Sequence, residues 1–331
     1  DLLLHRHREL GLSLYDRHAD GSGVCHSSRL RPTLTQRPKY RRWDGADGVG
    51  LRWFGLDLLL IGWLEQLGQA YDVVTDEDLD RDGEALLAPY RVVLTGNQPE
   101  YVSTRMLDAL QGYVGTGGRL MYLGGNGFYW RIAFHPTRPG VIELRRGHDG
   151  AGPWLSEPGE AHHAFTGEPG GTWRTLGRPP QALVGVGFVV EGFTRSGPYE
   201  RVPLREARRW SFVFAGIEGR RIGAQGLSGG GAAGIEMDRT DPELGTPSDA
   251  IVLARAQLPS IHYQGCILEE LAGNGLPLCG EMVIFARPGA GGVFATGSIA
   301  WIGALPCDDF CNDVATVTAN VLRRFLDSAP L

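Results

Sequence analysis

Three stretches of the chain hold residue types that could do chemistry together: GNQPEY (96–101), GGNGFYW (124–130) and HHAFTGEPGGTWR (162–174). Tyr101 and Tyr129 each close a glycine-containing turn after an apolar run, and Glu168 sits in a glycine-rich loop. Two phenolates and one carboxylate make a hard, all-oxygen, anionic donor set. Such a set suits a trivalent ion, Fe(III) above all, better than zinc, and leaves positions for water or substrate. Beside Glu168, His162 and His163 could supply a general base or an orienting bond. Each residue also has a plainer reading. A tyrosine at a strand end is usually a half-buried core residue with a bonded hydroxyl, and the histidine loop alone reads as a surface turn.

Other chemistry is harder to build. An α/β nucleophile elbow needs Cys or Ser at the strand-to-helix turn, and YLGGNGFYW offers Asn126, which forms no covalent intermediate. GGNG also lacks the spacing and trailing acidic residue of a dinucleotide loop. GLSGG does fit G-x-S-x-G at Ser228, with Asp249 and His262 following in hydrolase order, although a glycine run is a poor helix start. The five cysteines are scattered, as expected in a reducing compartment, and CDDFC has no further ligands nearby for zinc.

These groups need elements to hold them. LRWFGLDLLLIGWLEQLG has helical apolar spacing with Gly68 as its stop, AYDVV and APYRVVLTG read as strands, and VSTRMLDALQGYVG is a helix capped by Ser103. GGRLMYLGG is a third strand ending in glycines. Strand and helix in alternation with short links imply an α/β fold with a doubly wound, mostly parallel sheet. Ligands then bind beyond the carboxyl ends of the strands, which places GNQPEY beside GGNGFY at one rim. Residues 1–45 are expected as an extended N-terminal arm packed on the domain. Residues 46–331 are expected as the catalytic domain, with Gly-rich β insertions after 140 and a closing amphipathic helix in DVATVTANVLRRFLD.

Composition narrows the class. The 331 residues carry a net charge of −6, 42% hydrophobic and 21% charged residues, as in ordinary globular proteins. No basic run points to nucleic acid, and no window reaches the ~18 apolar residues of a spanning helix, so neither nucleic acid nor membrane is expected as a partner. A chain that begins at Asp1 reads as a fragment, and a cytoplasmic location is expected.

The motifs YDRHADGSGV, SSRLRP, GNQPEYVS, YLGGNGFYWR, TGEPGGTWR, GAAGIEMDRTDPELGTP, EMVIFARPGAGGVFATGSIAWIGAL and TANVLRRFLD resemble, in order and over nearly the whole chain, the C-terminal catalytic region of the N,N-dimethylformamidase large (β) subunit. The resemblance implies a class I glutamine amidotransferase-like fold and a mononuclear Fe(III) held by Tyr101, Tyr129 and Glu168, with Glu100 a competitor for the carboxylate role. It implies hydrolysis of a small N-substituted amide, the ion acting as Lewis acid on the carbonyl and acidifying a water. His162, His163, Glu236 and Glu281 are then candidates for proton transfer, while Asn126, Phe128, Trp130 and Trp173 would line a small, partly apolar pocket. A small subunit and a homo-oligomer are the partners implied. Two departures stand out: the β-rich, lectin-like part that usually precedes this region is absent, and the usual GSHPEY reads GNQPEY, with Gln98 for His. The rival expectations are a metal-free binding or assembly module, and a serine hydrolase using Ser228.

Overall fold

The computed structural model describes residues 7–31, 53–150, 152–154, 157–204, 208–257, 279–287 and 289–331. His262 of the serine-triad expectation lies outside them.

In chain order the strands are β1 (His26–Ser28), β2 (Val92–Leu94), β3 (Tyr101–Val102), β4 (Arg119–Tyr122), β5 (Trp130–Phe134), β6 (Val141–Leu144) and β7 (Gly187–Gly197). They continue with β8 (Tyr199–Arg201), β9 (Arg221–Ile222), β10 (Ala233–Arg239), β11 (Ile251–Gln257), β12 (Cys279–Ala286) and β13 (Gly292–Ala295). The α-helices are α1 (Phe54–Leu67), α2 (Asp76–Asp82), α3 (Glu84–Leu87), α4 (Thr104–Gly115), α5 (Gln181–Val184) and α6 (Asp313–Leu326). Their ends follow local chemistry. α1 stops at Gly68, which takes the left-handed φ of 64° that costs glycine nothing. The Ser103 hydroxyl accepts the Met106 N–H at the start of α4, and Asn312 does the same for Ala315 at the start of α6.

The largest sheet runs β2-β4-β13-β12-β11-β8-β9. β2, β4 and β13 are parallel, in register at Leu94, Met121 and Phe294; the remaining pairings are antiparallel. The sheet is therefore parallel on one side and antiparallel on the other. Successive residues of β4 part to opposite faces, as a period of two requires. Leu120 and Tyr122 pack with α4, while Met121 and Leu123 pack with α1 and α6. All four are fully buried, and a leucine removed from water contributes about 1.5–3 kcal/mol. This double coverage is why the strand reads as a continuous apolar run. Residues 70–74, expected as a strand, pair with no sheet among the described residues; they lead into Thr75, whose side chain forms a capping box with Asp78 and starts α2 instead.

A second sheet, β1-β6-β5-β3, joins the N-terminal arm to the rim of the first. Its β3 and β5 run parallel, with Tyr101 opposite Trp130. β7 and β10 form an antiparallel ribbon whose register shifts at Gly234/Ile235 and at Met237/Asp238. Among the described residues, no helix is long and apolar enough to cross a membrane.

Candidate active site

Beyond β2 the chain turns through Gly96–Glu100 and is tied down at once. The Asn97 backbone N–H and side-chain amide both donate to Asp57 Oδ1, at 2.9 and 2.7 Å, and the amide also reaches the Trp53 carbonyl at 2.9 Å. The turn after β4 is laid against this one, and the Gly125 N–H donates to the Asn97 carbonyl at 3.2 Å. Glycine is needed here because the backbones touch. A Cβ on Gly124 would lie 2.4 Å from the Asn97 oxygen, and one on Gly125 would lie 2.4 Å from the Glu236 oxygen. The two rim motifs thus meet each other and the β7–β10 ribbon.

Their side chains converge on two buried carboxylates. The Gln98 amide nitrogen donates to Glu100 Oε2 at 2.9 Å and to Glu236 Oε2 at 2.7 Å. Asn126 Nδ2 donates to the same Glu236 oxygen at 2.9 Å. The orientation of Gln98 is set from behind, because Trp53 Nε1 donates to its carbonyl at 2.8 Å. Glu100 and Glu236 are 7% and 6% exposed, so each depends on such donors to stay inside.

On the other flank of Glu100 stand two phenols. The Tyr15 hydroxyl donates to Glu100 Oε1 at 3.2 Å and lies 3.1 Å from the Tyr101 hydroxyl. Tyr15 comes from the arm, where Arg146 stacks on its ring at 4.5 Å and on the Trp154 ring at 5.2 Å. Burial first, and then the Glu100 charge, push both phenols above their ordinary value of 10. Neither would ionise near neutral pH without an added positive charge. Among the described residues no three His, Cys, Asp or Glu side chains gather as a metal-ligating group. The hard oxygens brought together at this place are those of the Glu100 carboxylate and of the Tyr15 and Tyr101 phenols.

Backbone strain collects around the same cluster. Asn126, Phe128 and Trp53 have φ of 48°, 56° and 50°, and Ile235, beside Glu236, has φ of 69°. A β-branched residue in that region is costly, on the order of 1–3 kcal/mol, and persists where surrounding contacts over-determine it.

The other expected residues are placed as follows. Glu168 is held by the Arg131 guanidinium and accepts from Thr104 Oγ1 at 2.9 Å. The Tyr129 ring meets Trp130 edge-on at 4.9 Å and Phe188 at 5.7 Å, while its backbone N–H donates to the Glu100 carbonyl at 3.0 Å. Thus Tyr101 is joined by geometry to Tyr15 and Glu100, whereas Glu168 is committed to an arginine. His162 pairs with Pro169 as an isolated bridge. His163 is buried, and desolvation holds it at about 4, so its ring is neutral near pH 7. Trp130 and Trp173 are fully buried; Trp173 donates to the Val102 carbonyl at 3.0 Å and carries Arg131 and Arg178 against its ring. Phe128 and Tyr129 border a small crevice of about 20 Å³ with Phe188, Leu244, Arg174 and Gln181. Glu281 is occupied by Arg255 at 2.8 Å and by the N–H and hydroxyl of Thr240. Ser228 is fully buried and packed against Gly303.

Sequence reasoning passed over Tyr15 as a site residue, although it opens the motif YDRHADGSGV, and it named Glu100 only as a competitor. It also passed over Asp238 and Tyr122, which lie behind Asn126.

A family model described as N,N-dimethylformamidase beta subunit-like, C-terminal, matches residues 7–315. The chain is 39% identical along its whole length to the N,N-dimethylformamidase beta subunit of Paracoccus aminophilus, and 40% identical to that of Alcaligenes sp. It spans 44% of each of those proteins, less than half their length.

Proposed function

The chain belongs to the N,N-dimethylformamidase beta subunit-like, C-terminal family, and from this premise we propose that it carries the site of an amidohydrolase acting on small N-substituted amides. N,N-Dimethylformamide, cleaved to formate and dimethylamine, is the model substrate. The observation that carries this reading is the cluster itself. Two buried carboxylates are bridged by one Gln98 amide, with Asn126 on one flank and the Tyr15–Tyr101 phenol pair on the other.

The donor set fits a ferric ion. Glu100, Tyr15 and Tyr101 supply three hard oxygens that carry three negative charges when ionised, and such a set is matched to a 3+ ion. These three residues, with Tyr101 retained from the sequence expectation and Tyr15 and Glu100 in place of Tyr129 and Glu168, would hold it. When bound, the ion supplies Lewis-acid polarisation of the amide carbonyl and a lowered pKa for water. Glu236, held in place by Gln98 and Asn126, is the group on this chain that accepts a proton from the attacking water and returns it to the departing amine. Asn126 keeps the Glu236 carboxylate aimed. Gln98 keeps Glu100 and Glu236 at a fixed separation, and its neutral amide adds no proton of its own.

The same proposal takes the chain as the catalytic part of a β subunit that works with another subunit, as the relatives' names suggest, and takes the sheet as amidotransferase-like. The test is metal content and a visible spectrum, followed by a formamide panel. Bound iron, a phenolate-to-iron absorption band and formate release are expected. A colourless, iron-free protein that does not turn over any short amide after iron reconstitution overturns the reading.

A further inference from the structure

Asp238 is buried to 1% exposure in the same ribbon strand as Glu236, two residues on, and none of the roles above uses it. Its two oxygens are both engaged. Oδ1 accepts the Asn126 backbone N–H at 2.8 Å, and Oδ2 accepts the Tyr122 hydroxyl at 2.7 Å. The Tyr122 oxygen in turn accepts the Gly127 N–H at 2.7 Å. Two consecutive N–H groups of the turn after β4 are thereby fixed from below by one carboxylate–phenol pair. The turn needs fixing, since Asn126 and Phe128 both sit at positive φ, which for non-glycine residues is an uphill conformation. Asp238 is itself anchored, its N–H donating to the Gly297 carbonyl at 3.0 Å. Above the turn, Asn126 Nδ2 meets Glu236 at 2.9 Å.

We propose that Asp238 and Tyr122 are positioning residues for the reaction: they lock the Asn126–Gly127 backbone and so set the distance and direction of the Asn126 amide at Glu236. A buried carboxylate is an expensive acceptor for a backbone N–H. Its use here in place of a carbonyl is accounted for by the geometry, because a single side chain reaches both Asn126 and the Tyr122 hydroxyl.

The kinetic arm of the test rests on the amide-hydrolysis reading, and the exchange arm does not. Asp238→Ala, Asp238→Asn, Tyr122→Phe and Asn126→Ala are made in the intact protein, with the double variant Asp238→Ala/Asn126→Ala. Asp238→Ala is expected to lower kcat about tenfold or more while KM moves little, the sign of an aim lost rather than a site lost. The double variant is expected to be no slower than Asn126→Ala alone, because residues acting through one another are non-additive. Asp238→Asn, which keeps an oxygen for the Asn126 N–H, is expected to recover part of the rate. Hydrogen exchange across 124–128 is expected to speed up in Asp238→Ala and in Tyr122→Phe. Multiplying single effects in the double variant, an unchanged kcat in folded Asp238→Ala, or unchanged exchange at 124–128 each overturns the proposal. If no variant and no wild-type sample hydrolyses an amide while exchange responds as expected, the functional reading falls and the positioning of the turn stands.

Discussion

One amide nitrogen of Gln98 lies 2.7 Å from Glu236, in β10, and also 2.9 Å from Glu100, in the turn before β3. The bridge joins the proposed ion-holding side of the site to the proton-handling side. Gln98→Leu removes the donor that both buried carboxylates share. The expected cost is about 1–3 kcal/mol of stability, read as a lower urea midpoint at unchanged slope, with a larger loss in kcat than in KM. A midpoint equal to wild type would show that the bridge has no structural weight.

Tyr15→Phe and Tyr101→Phe each delete one hard oxygen and little volume. Each is expected to lower bound iron and to bleach or shift the visible band, with only a small change in thermal midpoint. Metal analysis and absorption spectra on matched samples check this. Glu168→Gln is the control, since Glu168 is tied to Arg131; it is expected to keep the band. A band lost in Glu168→Gln and kept in Tyr15→Phe would restore the ligand set expected from sequence.

His163 sets a sign for acid stability. Burial depresses its folded value from 6.5 to about 4, so the unfolded chain binds a proton first as pH falls. Stability is thus lost between about pH 6.5 and pH 4, to the order of 3 kcal/mol from this group. Asp238 works the other way, because desolvation raises it to about 7; the folded state then holds the extra proton, and stability falls as pH rises from about 4 to 7. Melting curves across pH 4–7.5 are expected to show a shallower acid limb in a folded His163→Gln than in wild type. An identical limb would mean that His163 is not buried as a neutral ring.

Arg119 closes the C-terminal helix. Its guanidinium donates to the carbonyls of Arg324 (3.2 Å), Phe325 (2.7 Å) and Ala329 (2.8 Å), and also to that of Asp327. These are charge-assisted bonds to the orphan carbonyls of a helix end. Arg119→Ala is expected to cost about 2–3 kcal/mol, with faster hydrogen exchange confined to the last turn of α6 and the residues after it. Uniform exchange across the molecule would argue for a global defect instead.

Much of the frame could be read from local chemistry. Gly68, Ser103 and the apolar period of 313–326 carry their own instructions, and the helices end where those residues say. The rim was legible too, since apolar β2 and β4 run into glycine turns that the fold places in contact. The rest was hidden for physical reasons. Tyr15 reaches Tyr101 across 86 positions, and Gln98 reaches Glu236 across 138; no periodicity encodes a meeting at that range. Glu168 reads as a ligand because glycines flank it, and its contact with Arg131, 37 positions away, leaves no trace in the local pattern. The stretch 70–74 has strand-forming residues, but the Thr75 capping box starts a helix before any partner strand is reached.

Tyr15 belongs to the arm, whereas Glu100, Tyr101, Gln98, Asn126 and Glu236 belong to the sheet rim and its ribbon. The arm joins the rest through the short β1–β6 pairing, the burial of Leu14 and the Arg146 stack. The phenol beside Glu100 is thus supplied from 85 positions away in the chain, so any change that loosens the arm also takes Tyr15 out of the cluster.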